Sequence, residues 1–358
     1  MRKVPSRRSF LQGMAVAALA APSVGRAQSQ QSVTFFSPAV WTDPRLLGDF
    51  TRETGIPIQV QTYADIDQMT GRIRATGGSG VDVVMCPNNF TQEFYSAGLF
   101  QPIETQRLQN WNALYPNFRD ASFLSTELAN NSVGVPLVWG PEGLIYRTDK
   151  ITEANAWSDL WNSEWRGRIS SVNNGFQMIQ MAAQVLGYKD ELSKDIMEFT
   201  DEQYDAIKAH LLQQKPLVSK YWNSTAEGAS LLINGEVWIS LGRIAMLQSA
   251  REEKTPVKLI APKEGAQGWC NNMCLTKGEP NDAKYKFLDW MISSSYQSKL
   301  SATLKYPGVN EEVMNTLPAD LRNDLMLGDP NITSTLVWWK QAGSPQRINN
   351  LWNEVKAS

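Results

Sequence analysis

The sequence predicts a two-lobed α/β protein built on mostly parallel, doubly wound sheets. Three observations carry that expectation. From about residue 33 onward, β-branched and aromatic runs alternate with amphipathic helical stretches, the pattern of successive β-α-β units. The chain is 358 residues long, more than one hydrophobic core usually holds. The alternation also breaks at Val135-Pro136 and again after Pro262, where the chain would cross between lobes. The expected division is residues 28–136 with 263–311 as one lobe and 137–262 with 312–358 as the other, joined by a hinge.

Residues 1–27 read as a targeting signal. Ser6-Arg7-Arg8-Ser9-Phe10-Leu11 fits the twin-arginine pattern, and the apolar run from Met14 to Ala21 is too short for a transmembrane helix. Gly25-Arg26-Ala27 offers small residues at a cleavage site, which makes Gln28 the expected mature N-terminus. The first 27 residues hold five of the 34 basic residues and no acid, leaving 29 basic against 36 acidic residues. A mildly acidic chain without a basic cluster excludes nucleic acid and anionic membranes as expected partners.

The strands and helices follow in order. Val33–Phe36 is a strand, and Asp43-Pro44 opens a helix as N-cap and N1 proline, ending near Gly55. Ile56–Thr62, Ile66–Ala75, Val81–Cys86 and Thr91–Ala97 continue as strand, helix, strand and helix. Thr105–Asn131 has no period and reads as a covering loop with a short helix. Val135-Pro136 reads as a hinge strand leading through the turn-like Trp139-Gly140-Pro141-Glu142-Gly143 to a new strand, Leu144–Arg147. Trp157, Trp161 and Trp165, four apart, are expected on one helical face. A short strand then meets Asn173-Asn174-Gly175, and Phe176–Leu186 is an apolar helix capped by Gly187. Thr200 and Gln203 form a capping box. Ala226–Ile233 and Arg243–Glu252 are helices, Val237–Leu241 and Val257–Ala261 strands. Trp269–Thr276 is a strand back in the first lobe, helices fill Asp282–Thr303, and Ser344-Pro345 opens the last helix.

In doubly wound sheets the ligand crevice lies beyond the strand carboxyl ends. Those ends here carry Ser37 to Trp41, Pro87-Asn88-Asn89-Phe90 and Asn173-Asn174-Gly175. Catalytic chemistry finds little support. Gly77-Gly78-Ser79-Gly80 precedes a strand and lacks the nucleophile-elbow spacing. No P-loop occurs, and the single histidine, His210, read as a solvated helix residue, removes most triads and zinc sites. Cys270 and Cys274 lie four apart along one strand, about 13 Å, so no disulfide joins them, and with Cys86 they are expected as buried free thiols.

The motif W-x-D-L-W-x-x-E-W-R-G from Trp157, followed by the strand, the polar turn and Leu186-Gly187-Tyr188, resembles the spermidine/putrescine-binding proteins of bacterial ABC importers. Val138-Trp139-Gly140, Gly235-Glu236-Val237, Pro262-Lys263-Glu264-Gly265, Trp269 and Tyr306-Pro307 extend the resemblance from Thr34 to the C-terminus. It implies a bilobal periplasmic-binding-protein fold of type II, a monomer in the periplasm serving a membrane permease, with no cofactor, no metal and no catalysis. It also implies aromatic walls at Trp41, Trp139 and Trp269; Trp222, at a lobe edge, is a further candidate equally suited to core packing, and the strand ends add Asn88 and Asn89 at the crevice. The positions where polyamine binders place carboxylates fall on Asn174, Gln177 and Asn271, a cation-stacking tryptophan becomes Arg243, and a further acid becomes Val40. Glu142 is the acid still placed near the cleft.

That exchange points away from polyamines. A hydrogen bond to a charged group contributes about 1.5–3 kcal/mol, and several have been lost while a cation was added. An arginine fork beside amides suits a carboxylate, sulfonate or phosphonate, so an anionic or zwitterionic small solute is expected. Two alternatives stand beside it: a genuine spermidine/putrescine binder, and a periplasmic enzyme using Glu142 as base.

Overall fold

The computed structural model describes residues 31–278, 281–325, 327 and 335–358. The twin-arginine segment expected at 1–27 lies outside them. Among the described residues no helix is long and apolar enough to cross a membrane.

The elements that build the site are strands β1 (Val33–Pro38), β2 (Ile58–Tyr63) and β3 (Val83–Pro87), with helices α1 (Pro44–Thr54), α2 (Ile66–Thr76) and α3 (Asn88–Ser96) between and after them. Next come β4 (Val135–Arg147), β5 (Ile169–Val172), α4 (Gly175–Leu186), α5 (Asp201–Gln214), β6 (Val218–Trp222), α6 (Thr225–Ile233), β7 (Ile239–Arg243), α7 (Ile244–Glu252) and β8 (Val257–Ile260). The chain ends with β9 (Gln267–Thr276), α8 (Asp282–Met291), α9 (Ser294–Leu304), β10 (Val337–Trp338) and α10 (Pro345–Ala357).

One sheet runs through the molecule in the order β6-β5-β7-β4-β9-β3-β1-β2. Its outer portions are parallel, β1 with β2 and β3 on one side and β5 with β6 and β7 on the other. The centre is antiparallel, where β9 pairs with both β3 and β4 and β7 pairs with β4. Side-chain alternation explains why the β1–β3 region is covered on both faces. Phe35, Val83 and Met85 point into one core, while Phe36, Val84 and Cys86 point into a second cluster with Met69, Ile73 and Cys274. A separate core gathers Leu144, Trp157, Ile169, Met178, Trp222 and Trp352.

The sequence signals for helix ends hold. Asp43 accepts the Arg45 amide at 2.8 Å with Pro44 at N1. The capping box of Thr200 and Gln203 is formed. Gly55, Gly77 and Gly187 adopt the left-handed conformation at the ends of α1, α2 and α4, which costs glycine nothing. The three cysteines are buried and free.

Five expectations are corrected. Trp157, Trp161 and Trp165 do not share an α-helical face; they lie in two short 3-10 turns, Trp157–Trp161 and Ser163–Trp165. The Asn162 side chain accepts the Glu164 amide and starts the second turn, and the first two indoles serve different carbonyls, Gly265 and His210. Leu144–Arg147 is no new strand but the continuation of β4, whose thirteen residues run from one core into the other. Helix α3 starts at Asn88, three residues before the expected Thr91, with Pro87 as its N-cap residue and the Pro87 carbonyl accepting the Thr91 hydroxyl at 3.1 Å. His210 is half-buried and stacked on Trp161 at 4.4 Å between ring centres. Finally, Val313, Leu317, Leu325 and Leu327 pack in the first core, although 312–358 was expected with the second. Their apolar faces meet there before α10 joins the other core through Ile348, Leu351, Trp352 and Val355.

Candidate functional site

The site forms where β4 passes between the cores. Its central pair is dictated by register: in the antiparallel β4–β7 ladder, Glu142 lies opposite Arg243, so the two side chains leave one face side by side. Arg243 Nε lies 2.8 Å from Glu142 Oε1 as an ion contact. One Nη donates to Thr225 Oγ1 at 3.0 Å and the other to Gln177 Oε1 at 3.3 Å. Gln177 closes the loop by donating its amide to Glu142 Oε2. Beneath the guanidinium lies the Trp222 ring, 4.9 Å from Cζ to the ring centre, a cation–π shelf.

Glu142 is almost wholly buried, 2% of its side chain exposed, whereas 27% of the Arg243 side chain remains open. Burial pushes the Glu142 carboxyl above its ordinary range, and Arg243 and Gln177 pull it back. The pair is electrically neutral, and its accessible face is the cation.

A pocket of about 220 Å³ opens in front of this face. Its other walls are aromatic and amide. Trp269 lies opposite Gly140 on the β9–β4 ladder, and a Cβ on Gly140 would sit 2.5 Å from the indole, so only glycine lets the ring lie flat there. Tyr306 stands edge-on to Trp269, centres 5.8 Å apart, and Trp41 stands edge-on behind Tyr306 at 5.0 Å. Burial raises the Tyr306 phenol above its usual value, so it stays a neutral donor. Asn271 and Trp339 complete the wall.

Of the eleven residues expected at the site, Glu142, Arg243, Trp269 and Asn271 line this pocket. Trp41 supports Tyr306 from the core. Trp139 is a core residue, fully buried, its Nε1 donating to Gly308 O at 2.8 Å; it forms no wall. Trp222 is likewise buried, donating to Ser240 Oγ at 3.1 Å, and acts on the site through Arg243. Asn174 is exposed and caps α4 by accepting the Gln177 amide at 3.1 Å. Gln177 is buried behind the ion pair. Asn88 is spent on backbone: it donates to Trp339 O at 2.6 Å and accepts from Cys270 N at 3.1 Å. Asn89 lines a neighbouring cavity. Val40 is exposed and not part of the pocket lining.

Three polar or aromatic lining residues escaped the sequence reading. Thr225 follows the N-cap Ser224 at the carboxyl end of β6, the same strand–polar-turn–helix signal as Asn173-Asn174-Gly175. Tyr306 was visible within the Tyr306-Pro307 motif. Trp339 gave no signal beyond its pairing with Trp338, in a stretch without periodicity.

Comparisons with known proteins agree with this architecture. A family model described as bacterial extracellular solute-binding protein matches residues 46–325. The spermidine/putrescine-binding periplasmic protein of Salmonella typhimurium is 24% identical over 340 residues, covering 94% of each chain. A spermidine/putrescine ABC transporter substrate-binding protein of Streptococcus pneumoniae superposes with a TM-score of 0.80 at 20% identity, covering 91% of this chain and 99% of its own. A solved GABA receptor superposes with a TM-score of 0.71 at 17% identity, covering 91% and 97%.

Proposed function

The chain belongs to the bacterial extracellular solute-binding proteins, as a non-enzymatic member related to the polyamine binders of ABC transporters, and from that premise we propose that it captures a small zwitterionic or anionic organic solute in the periplasm for delivery to a membrane permease. Arg7 and Arg8 would direct its export.

The observation that carries this reading is the state of Arg243. A guanidinium has five N–H groups. Each Nη donates one N–H, to Thr225 and to Gln177, while Nε lies against Glu142 as an ion contact, so a second N–H on each Nη remains for an occupant of the pocket. A ligand carboxylate there meets two charge-assisted donors, and the Thr225 hydroxyl, which accepts from Arg243, keeps its own proton to donate. An ammonium at the other end of the solute finds the faces of Trp269 and Tyr306 and the oxygen of Asn271. A polyamine finds no such balance. Its two or more charges need carboxylates, and the one acid of the lining is buried and already paired; a buried unpaired ion costs several kcal/mol. That this fold serves a zwitterionic, carboxylate-bearing solute elsewhere is supported by the GABA receptor that shares it.

Titration calorimetry of the purified protein with γ-aminobutyrate, glutamate, succinate, putrescine and spermidine tests the reading. A carboxylate-bearing solute should bind and the polyamines should not. Tight spermidine binding would overturn it in favour of a genuine polyamine binder.

A further inference from the structure

A second cavity adjoins the first. It measures about 390 Å³ against about 220 Å³, and Trp339 lines both. Pro87 faces the first cavity, and the next two residues, Asn88 and Asn89, face the second. The two spaces are therefore neighbouring compartments at one strand end, with an indole between them.

The chemistry of the second space differs from the first. Glu127, Asp195 and Lys340 are its charged residues, and the Asp195 charge acts on the Lys340 amine without a direct ion contact. Glu127 accepts from the Tyr95 hydroxyl at 2.8 Å, and the Lys340 amine donates to Ser122 Oγ at 3.4 Å. Its lining is rich in amides and hydroxyls, among them Asn89, Gln92, Gln341, Ser122, Ser125 and Thr126. Amides and hydroxyls both offer and accept hydrogen bonds, and such a lining calls for groups that both give and take hydrogen bonds. Hydroxyls do; an ammonium only donates, and an alkyl chain does neither.

We propose that this cavity is the second compartment of the ligand site, and that the solute carries, beyond its charged head, a hydroxyl-rich tail that passes Trp339 and ends among Asn89, Ser122 and Lys340. The inference rests on the charged head lying at Arg243.

Two probes with the same head and chain length separate the compartments: N-hexylglycine and N-glucitylglycine, in which the hexyl chain bears five hydroxyls. Calorimetry should find the glucityl compound bound at least about tenfold tighter, the worth of one or two good hydrogen bonds. Asn89→Ala and Lys340→Met should each cut that ratio several-fold, with melting temperature confirming that both variants fold. Equal binding of the two probes, or tighter binding of N-hexylglycine, overturns the second compartment and leaves the head at Arg243 standing. If neither glycine derivative binds while spermidine does, or if none of the three binds, the head assignment fails and takes the compartment with it.

Discussion

The proposed selectivity rests on a single ion pair, whose two members differ in exposure. Glu142 is too deeply buried to be the first group a solute meets; its work is to hold Arg243 over Trp222 and to keep the pocket neutral. Glu142→Gln preserves size but leaves the guanidinium with no counter-ion. Removing one partner of a buried pair typically costs about 3–5 kcal/mol; Arg243 is partly open to water, so about 2–3 kcal/mol is expected by urea unfolding. The same change gives the pocket a net positive charge. Calorimetry should then show succinate gaining on γ-aminobutyrate; an unchanged ratio would mean that Glu142 does not set the balance. His210 offers a separate test of burial. Packing against Trp161 holds its imidazole below the ordinary value of about 6.5. Above that value the ring is neutral in both states and the stability is complete. As pH falls below it the unfolded chain takes the proton first, so stability declines down to the folded value. The melting temperature should therefore drop more between pH 7.5 and 5.5 in the native protein than in His210→Gln. An equal drop would show that the ring titrates alike in both states. Neither environment could be read from the residues alone. Arg243 was legible as a misfit in an aromatic position, but its partner was not, because the pairing depends on the register of two strands 100 residues apart.

At the scale of elements, legibility followed locality. Helix ends marked by Asp43-Pro44, Thr200/Gln203 and Gly187 fell where expected, since each is decided within one turn of chain. The tryptophans at 157, 161 and 165 misled because helical spacing describes a helix only where a helix forms; separate carbonyl partners for two of the indoles broke it into turns. The greatest loss was β4. Pro136, Gly140, Pro141 and Gly143 read as hinge and turn, yet they lie within one thirteen-residue strand. Sheet contacts explain the glycines. A Cβ on Gly143 would lie 2.1 Å from the Ile260 carbonyl, and one on Gly140 would strike the Trp269 ring. Gly140→Ala is the informative change, because an indole can move where a backbone cannot. Overpacking of this kind costs typically about 1–3 kcal/mol, and it should turn Trp269 out of the wall. Expected are a shifted tryptophan emission and a loss of ligand affinity at least as large as the loss of stability. Full affinity in Gly140→Ala would show that Trp269 is not a ligand wall.

At the scale of the molecule, the chain passes between the first and second cores at three places among the described residues. Trp139 belongs to the first core and Leu144 to the second; the chain returns between Ile260 and Ala266, and crosses again between Leu336 and Ile348. The pocket opens at the first of these crossings, with Glu142 and Arg243 on the side of the second core and Trp269, Asn271 and Tyr306 on the side of the first. A solute bridging both sides binds the approximated arrangement better than the separated one, and it shifts the population by that difference alone. The two cores should therefore close on each other as lobes about the three crossings. Small-angle scattering should show a smaller radius of gyration with saturating solute than without, from a compact value of about 20 Å for a chain of this length. Tryptophan emission should change with the same midpoint, since Trp269 and Trp339 line the closing faces. Superimposable scattering curves, from a sample in which calorimetry shows the site filled, would mean that the pocket is preformed and the crossings do not act as a hinge.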